Sequence, residues 1–196
     1  KNDGKAFVSS GAANQVLRYN GASGLFETRF IMPDAVAPTS SLTSPRGLIF
    51  DKKGRLYVAS EQTNEIWRFN GVTGAPVDLF PVGHPNQGQP RPFVGAEVGL
   101  QQPRGMMFDL EENLLVCSYG TDEVFRFTGP EESLPGILID VFITDDPATP
   151  GVDESGGLDG PNDLAMDNQG NLQVTSEGTN SVMRFYGPTA TPAQQG

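Results

Sequence analysis

The sequence repeats itself. PRGLIFDKKGRLYVASEQTNEIWRFNG, from Pro45 to Gly71, returns 58 residues later as PRGMMFDLEENLLVCSYGTDEVFRFTG (Pro103 to Gly129), and 58 later again as PNDLAMDNQGNLQVTSEGTNSVMRFYG (Pro161 to Gly187). The second half of the unit also opens the chain, as KAFVSSGAANQVLRYNG from Lys5 to Gly21. A fixed period of this length means that one supersecondary unit is copied and that each copy buries its apolar face against the next.

Each copy holds three short apolar runs with no helical period. In the copy that starts at Pro45 they are Gly47–Asp51, Leu56–Ser60 and Glu65–Phe69, rich in the β-branched and aromatic residues that suit a pleated surface. The turn Asp51-Lys52-Lys53-Gly54 separates the first two, and Asp167-Asn168-Gln169-Gly170 does so in the last copy. Asp bonds its own turn backbone and Gly supplies the positive φ of a tight hairpin. The middle copy has Glu112 in place of that Gly, so Asn113 is expected to take the left-handed conformation there. Asn14, Asn64, Asp122 and Asn180 end the second turn, where Asn and Asp tolerate that region. A fourth run follows the third as Leu25–Ile31, Ala75–Phe80 and Ile137–Ile143. The first run is apolar on consecutive residues, as in Leu48-Ile49-Phe50, which predicts a strand covered on both faces and the most buried of its sheet. Four-stranded antiparallel sheets packed face to face in series make an all-β fold, the β-propeller. The chain is read as one domain, 1–196, of about three and a half to four blades: a partial blade 1–31, blades 45–81, 103–143 and 161–185, and a tail 186–196.

The pattern P-x-G-[LM]-x-[FM]-D-x-x-G-x-L-x-V-x-S, then N-x-[IV]-x-R-[FY]-x-G, resembles the NHL-repeat and streptogramin-lyase-like class of propellers over nearly the whole chain. The resemblance implies the fold and leaves the activity to the site, because this class includes scaffolds, receptor ectodomains, lyases and lactonases. It also implies that the long Pro- and Gly-rich connections Met32–Ser44, Val82–Gln102 and Thr144–Gly160 share a face with Arg46, Arg104, Asn162 and Asp163, the residues that follow the Pro of each first strand. Lactonases of the gluconolactonase type place Asn or Asp there around a divalent cation, and streptogramin-type lyases place a catalytic His nearby. Here Arg stands in two of the three copies, and a guanidinium neither ligates a cation nor accepts a proton. Only Asn162 and Asp163 match, and the single His84 lies in the loop GHPNQGQP, outside the repeat.

Positions that differ between copies are better functional candidates than those that recur, since recurring residues serve the blade. The position held by Glu61, Tyr119 and Glu177 varies, as does that of Arg46, Arg104 and Asn162, and together with Asp163 these residues form the expected partner-binding face. Arg18, Arg68, Arg126 and Arg184 recur on the third strand, and the expected role is a fork onto a carbonyl or carboxylate with the stem packed on an aromatic. Trp67, Phe125 and Met183 share one position and are expected to pack between blades. Acidic residues gather at Asp145, Asp146, Asp153, Glu154, Asp159 and Asp163, and of these Asp153, Asp159 and Asp163 are candidates for calcium, which wants several convergent oxygens.

A net charge of −11 and a pI near 4.4 exclude nucleic acid and anionic membrane surfaces as partners. No apolar run is long enough to span a bilayer. Cys117 is the single cysteine, so no internal disulfide forms. The composition leans toward an extracellular or periplasmic home. The reading is a non-catalytic extracellular propeller without a cofactor, serving as a protein-interaction or structural module. A first alternative is a homo-oligomer or filament joined through open sheet edges and terminal segments, with copies of itself as partner. A cation-dependent lactonase or lyase centred on Asn162 and Asp163 is the other.

Overall fold

The computed structural model describes residues 4–33, 42–144 and 155–188. The chain divides into two compact units, Lys1–Val98 and Gly99–Gly196. In the first, β1 (Lys5–Ser10), β2 (Gln15–Asn20) and β3 (Phe26–Ile31) form one antiparallel sheet, and β4 (Pro45–Phe50), β5 (Arg55–Ser60) and β6 (Glu65–Asn70) another. In the second, β7 (Pro103–Phe108), β8 (Leu114–Ser118), β9 (Glu123–Phe127) and β10 (Leu138–Ile143) form a four-stranded sheet, and β11 (Pro161–Met166), β12 (Leu172–Ser176) and β13 (Ser181–Phe185) a three-stranded one. Strands follow one another across each sheet in chain order, as hairpin connections dictate. Every three-run copy read from the sequence is therefore a sheet.

Each unit is two sheets packed face to face. Val16 and Ile31 of one sheet meet Leu56, Val58, Trp67 and Phe69 of the next. In the second unit Leu115, Cys117, Val124 and Ile143 meet Leu164, Leu172 and Val174, with Met183 packed against them. Trp67 and Met183 thus pack between sheets, as their shared position suggested.

Burial within a sheet runs against the sequence expectation. β5 is buried from Leu56 to Ser60 and β8 throughout, whereas β4 is mostly half-buried and Phe50 is exposed. A first strand sits at a sheet edge, so a consecutive apolar run does not seal it. The second strand has a strand on either side, and Leu56 and Val58 of β5, like Leu115 and Cys117 of β8, face the other sheet of their unit.

Local backbone chemistry repeats with the sheets. Asn14, Asn64, Asp122 and Asn180 all take positive φ, between 52° and 60°. Asp51, Asp109 and Asp167 each accept two backbone N–H groups of their hairpin on one carboxylate oxygen. In the middle copy Glu112 itself takes φ 66°, not Asn113. The hairpin fixes which position is left-handed, and the Asn113 amide is engaged with Asp109 at 3.2 Å. The fourth run of the second copy, Ala75–Phe80, is no regular strand. Pro76 has no N–H to give a ladder, and the segment is held by isolated bridges, Phe69 to Pro76 and Leu79 to Pro90, by scattered backbone hydrogen bonds such as Val77 N–H to the Arg68 carbonyl, and by the Arg68–Asp78 pair. The chain then folds back so that Val94 bridges to Ile66 and Phe93 covers Arg68.

Candidate functional site

The first strand of each full copy carries a β-bulge immediately after its proline. Pro45 faces Ser60 but Leu48 faces Val58, and the same shift recurs between Pro103 and Met106 and between Pro161 and Leu164. Arg46, Arg104 and Asn162 therefore sit in bulges, where an extra residue re-aims a side chain out of the ladder. The residue ahead of each proline is left-handed too: Ser44 at φ 52°, Gln102 at φ 49° and Gly160 at φ 62°. Such backbone in non-glycine residues is strained and persists only when its surroundings hold it.

The re-aimed residue finds its partner one strand across. Arg46 pairs with Glu61 at 2.9 Å, and Glu61 also accepts the Ser44 hydroxyl at 2.8 Å. At the same two repeat positions of the next copy, the Arg104 guanidinium lies 3.3 Å from the Tyr119 ring centroid. In the last copy the Asn162 amide donates to Glu177 at 3.4 Å. An ion pair, a cation–π stack and a hydrogen bond thus occupy one structural position. Relative to the Arg46–Glu61 pair, each later copy changes one member and keeps the other: Tyr119 replaces the glutamate, and Asn162 replaces the arginine.

Within the second unit these positions converge. Arg104 also reaches Glu177 at 2.8 Å, 73 residues away, so Tyr119, Arg104, Glu177 and Asn162 form one continuous cluster. Arg104 is largely buried while Glu177 is half exposed. Asp163 is tied into the bulge: its N–H donates to the Thr175 hydroxyl at 2.8 Å, its carbonyl accepts from the same hydroxyl, and its carboxylate accepts the Leu164 N–H. Arg46 and Glu61 belong to the first unit and form their own pair there.

Other candidates are placed elsewhere. His84 stacks on Phe80 at 4.2 Å and accepts the Asn86 N–H on Nδ1, a local contact of its loop. Cys117 is fully buried, and burial pushes its thiol well above the usual range, with the nearby Asp163 charge adding to this. Asp145, Asp146, Asp153 and Glu154 lie outside the described residues. Asp159 turns its backbone toward the Ser176 hydroxyl, and among the described residues no three His, Cys, Asp or Glu side chains come together in a way that could hold a metal ion. A polar cleft of about 470 Å³, lined by Thr121, Asp122, Glu123, Ser155, Asp159 and Thr179, was not anticipated, because its walls come from turns whose residues read only as turn formers.

Three of the four recurring arginines anchor the run that follows them, in keeping with the structural role their recurrence suggested. Arg18 pairs with Glu27, Arg68 with Asp78 and Arg126 with Asp140, each carboxylate coming from the fourth run. The guanidiniums lie over Phe30, Phe93 and Phe142 at 5.4, 4.7 and 5.2 Å. Tyr57, beside Arg68, has its hydroxyl pKa pushed up to about 12 by burial.

No family model matches this sequence, and no protein of curated function matches it. Solved structures do. A catalytically inactive virginiamycin B lyase from Staphylococcus aureus with quinupristin superposes with a TM-score of 0.56 at 13% identity, over 98% of this chain and 55% of the lyase. A streptogramin B lyase matches with a TM-score of 0.53 at 15% identity, over 96% and 53%. The extracellular domain of a protein described as a one component system, from B. thetaiotaomicron, matches with a TM-score of 0.56 at 18% identity, over 95% and 22%. These likenesses show the fold of a β-propeller, and this chain spans about half the length of the lyases it matches. Among the described residues no helix is long and apolar enough to cross a membrane.

Proposed function

We propose that this chain is a non-catalytic propeller module that binds other proteins in an extracellular or periplasmic setting. The observation that carries the reading is the Arg104–Tyr119 stack, anchored by Glu177. Arginine and tyrosine held rigidly beside an exposed carboxylate are the residue types that dominate protein interfaces, since they present large contact area at little entropic loss. Chemistry finds less support. Asn162 is spent on Glu177, Asp163 on its own bulge and His84 on its own loop. The extracellular domain among the fold neighbours agrees with the setting.

The test uses the chain with Tyr119→Ala and Arg104→Ala variants. Immobilised wild type is expected to retain a discrete partner from the extracellular fraction of its source that both variants lose while keeping their circular dichroism. In parallel, quinupristin and simple lactones are offered with a divalent cation. Turnover that disappears in Asn162→Ala or Asp163→Ala would overturn the proposal in favour of a lyase or lactonase.

A further inference from the structure

Beyond the sheet of β4, β5 and β6, residues 78–91 run out and back as a hydrogen-bonded loop. The Arg91 N–H reaches the Asp78 carbonyl at 3.0 Å, Leu79 bridges Pro90, and the Phe80 N–H reaches the Gln89 carbonyl at 2.9 Å. The Gly88 N–H returns to the Phe80 carbonyl at 3.0 Å. At the tip the His84 N–H donates to the Pro81 carbonyl, and the Gln87 and Gln89 N–H groups donate to the carbonyls of His84 and Asn86. Residues 81–89 are exposed all the same, with Val82 at 89%. A loop that buries so little is held by its hydrogen bonds, and the loss of one is felt.

One of those bonds depends on a proton. His84 Nδ1 accepts the Asn86 N–H at 3.0 Å while the ring stacks on Phe80, with centroids 4.2 Å apart and planes 10° from parallel. A ring nitrogen accepts only when it carries no hydrogen, so the imidazole in this arrangement is neutral with its proton on Nε2. The two-residue spacing is that of an Asx turn, with the ring nitrogen in the place of an Asn or Asp oxygen. Protonation makes both ring nitrogens donors. Nδ1–H then faces the Asn86 N–H, and turning the ring over presents a carbon instead. In either orientation Asn86 loses its acceptor. The stack on Phe80 survives, because an aromatic face attracts a cation, so the change is confined to the tip.

The surroundings leave this event to His84. It is the single histidine of the sequence, and imidazole is the side chain that ordinarily gains its proton between about pH 8 and pH 5. Residues 79–90 contain no Lys, Arg, Asp or Glu. At the root of the loop Asp78 is paired with Arg68, and Arg91 donates to the carbonyls of Leu79 and Pro92. Among the described residues no carboxylate pairs with the ring to keep a proton on it. We infer that residues 81–89 are a pH-sensitive tip, closed while His84 is neutral and opened at Asn86 when the ring takes up a proton. Acidification thereby reshapes an exposed, uncharged loop and puts a positive charge on it near Val82. The inference uses none of the residues of the Arg104 cluster and holds whatever that cluster binds.

The test is nuclear magnetic resonance of the full, nitrogen-15-labelled chain between about pH 8 and pH 5, the ordinary imidazole range. The Asn86 amide is expected to titrate with the same midpoint as the His84 ring protons. Its protection against solvent exchange, corrected for the intrinsic effect of pH, should fall about two- to tenfold, the range for one lost hydrogen bond. Amides of β5 should not follow. His84→Asn puts an oxygen that does not titrate in the place of the ring nitrogen, so the Asn86 amide should stay protected at both ends of the range. His84→Ala should leave it unprotected at both. The loop is exposed, so both variants should keep the circular dichroism of the parent. The inference is overturned if the Asn86 amide ignores the His84 titration, or if His84→Asn keeps the pH dependence of the parent. It is equally overturned if the Asn86 amide of His84→Ala is as protected as that of the parent at the alkaline end.

Discussion

The Asp122 carboxylate accepts a 2.7 Å hydrogen bond from the backbone N–H of Gly160, 38 residues further along the chain. Asn14 does the same for Ser44 at 2.8 Å in the first unit. The turn of one sheet thus holds the left-handed residue that leads into the first strand of the next. Both turn residues are themselves left-handed, at φ 60° and 52°. Asp122→Ala removes the acceptor and puts a side chain with no local hydrogen bond into left-handed backbone, so a loss of about 2–3 kcal/mol is expected from the two effects together. Asp122→Asn keeps both properties and should cost under about 1 kcal/mol. Urea unfolding of the two variants decides.

The arginine–carboxylate pair offers a graded series. Arg68 and Asp78 are nearly buried, at 2.9 Å, and Arg68 also lies over Phe93. Removing one partner of a buried pair strands the other charge, so Asp78→Ala is expected to destabilise by about 3–5 kcal/mol. Glu27→Ala and Asp140→Ala break more exposed, solvent-screened pairs and should cost clearly less than Asp78→Ala. Equal losses in all three would refute the burial argument. Thermal or denaturant midpoints measure them.

Cys117 is fully buried between the sheets of the second unit, and burial raises its thiol pKa. A thiol with so little thiolate and no access reacts slowly. It should resist a chromogenic disulfide reagent for as long as the chain is folded and react stoichiometrically in guanidinium. Rapid labelling of the native chain would show that the sheets of the second unit part readily.

Asp167 has its carboxyl held down to about 2 by the backbone N–H of Asn171, with the Gln169 amide and Arg184 adding to this. A folded value below the unfolded one of 3.8 means that the group stabilises the fold above about pH 4 and loses that contribution as pH falls toward 2. Asp167→Asn keeps an acceptor oxygen for the turn but carries no proton-linked charge. Its stability should therefore fall less between pH 4 and pH 2 than that of the parent, as read from acid titrations followed by circular dichroism. Parallel titrations would count against the assignment.

Much of this molecule was legible in the order of its residues because its interactions are local and copied. The hairpin Asp residues, the left-handed Asn and Asp positions and the apolar runs act within a few residues, so the repeat displays them each time. The recurrent glycine after the third strand belongs here too: at Gly71 and Gly129 a Cβ would strike the carbonyl oxygen of residue 54 or 112, which leaves room for nothing larger. Likewise the arginine of the third strand announced a carboxylate partner.

Which carboxylate it is, the sequence left open, because connections of unequal length deliver Glu27, Asp78 and Asp140 at different spacings. The bulge that joins Arg46 to Glu61 and brings Arg104 over Tyr119 is also a tertiary decision. A one-residue shift in ladder register reverses where a side chain points, and a string of residues carries no mark of that shift. Nor does an apolar run say which strand of a sheet is sealed. That follows from who stands on either side, and the packed sheets gave the place to β5 and β8 rather than to β4.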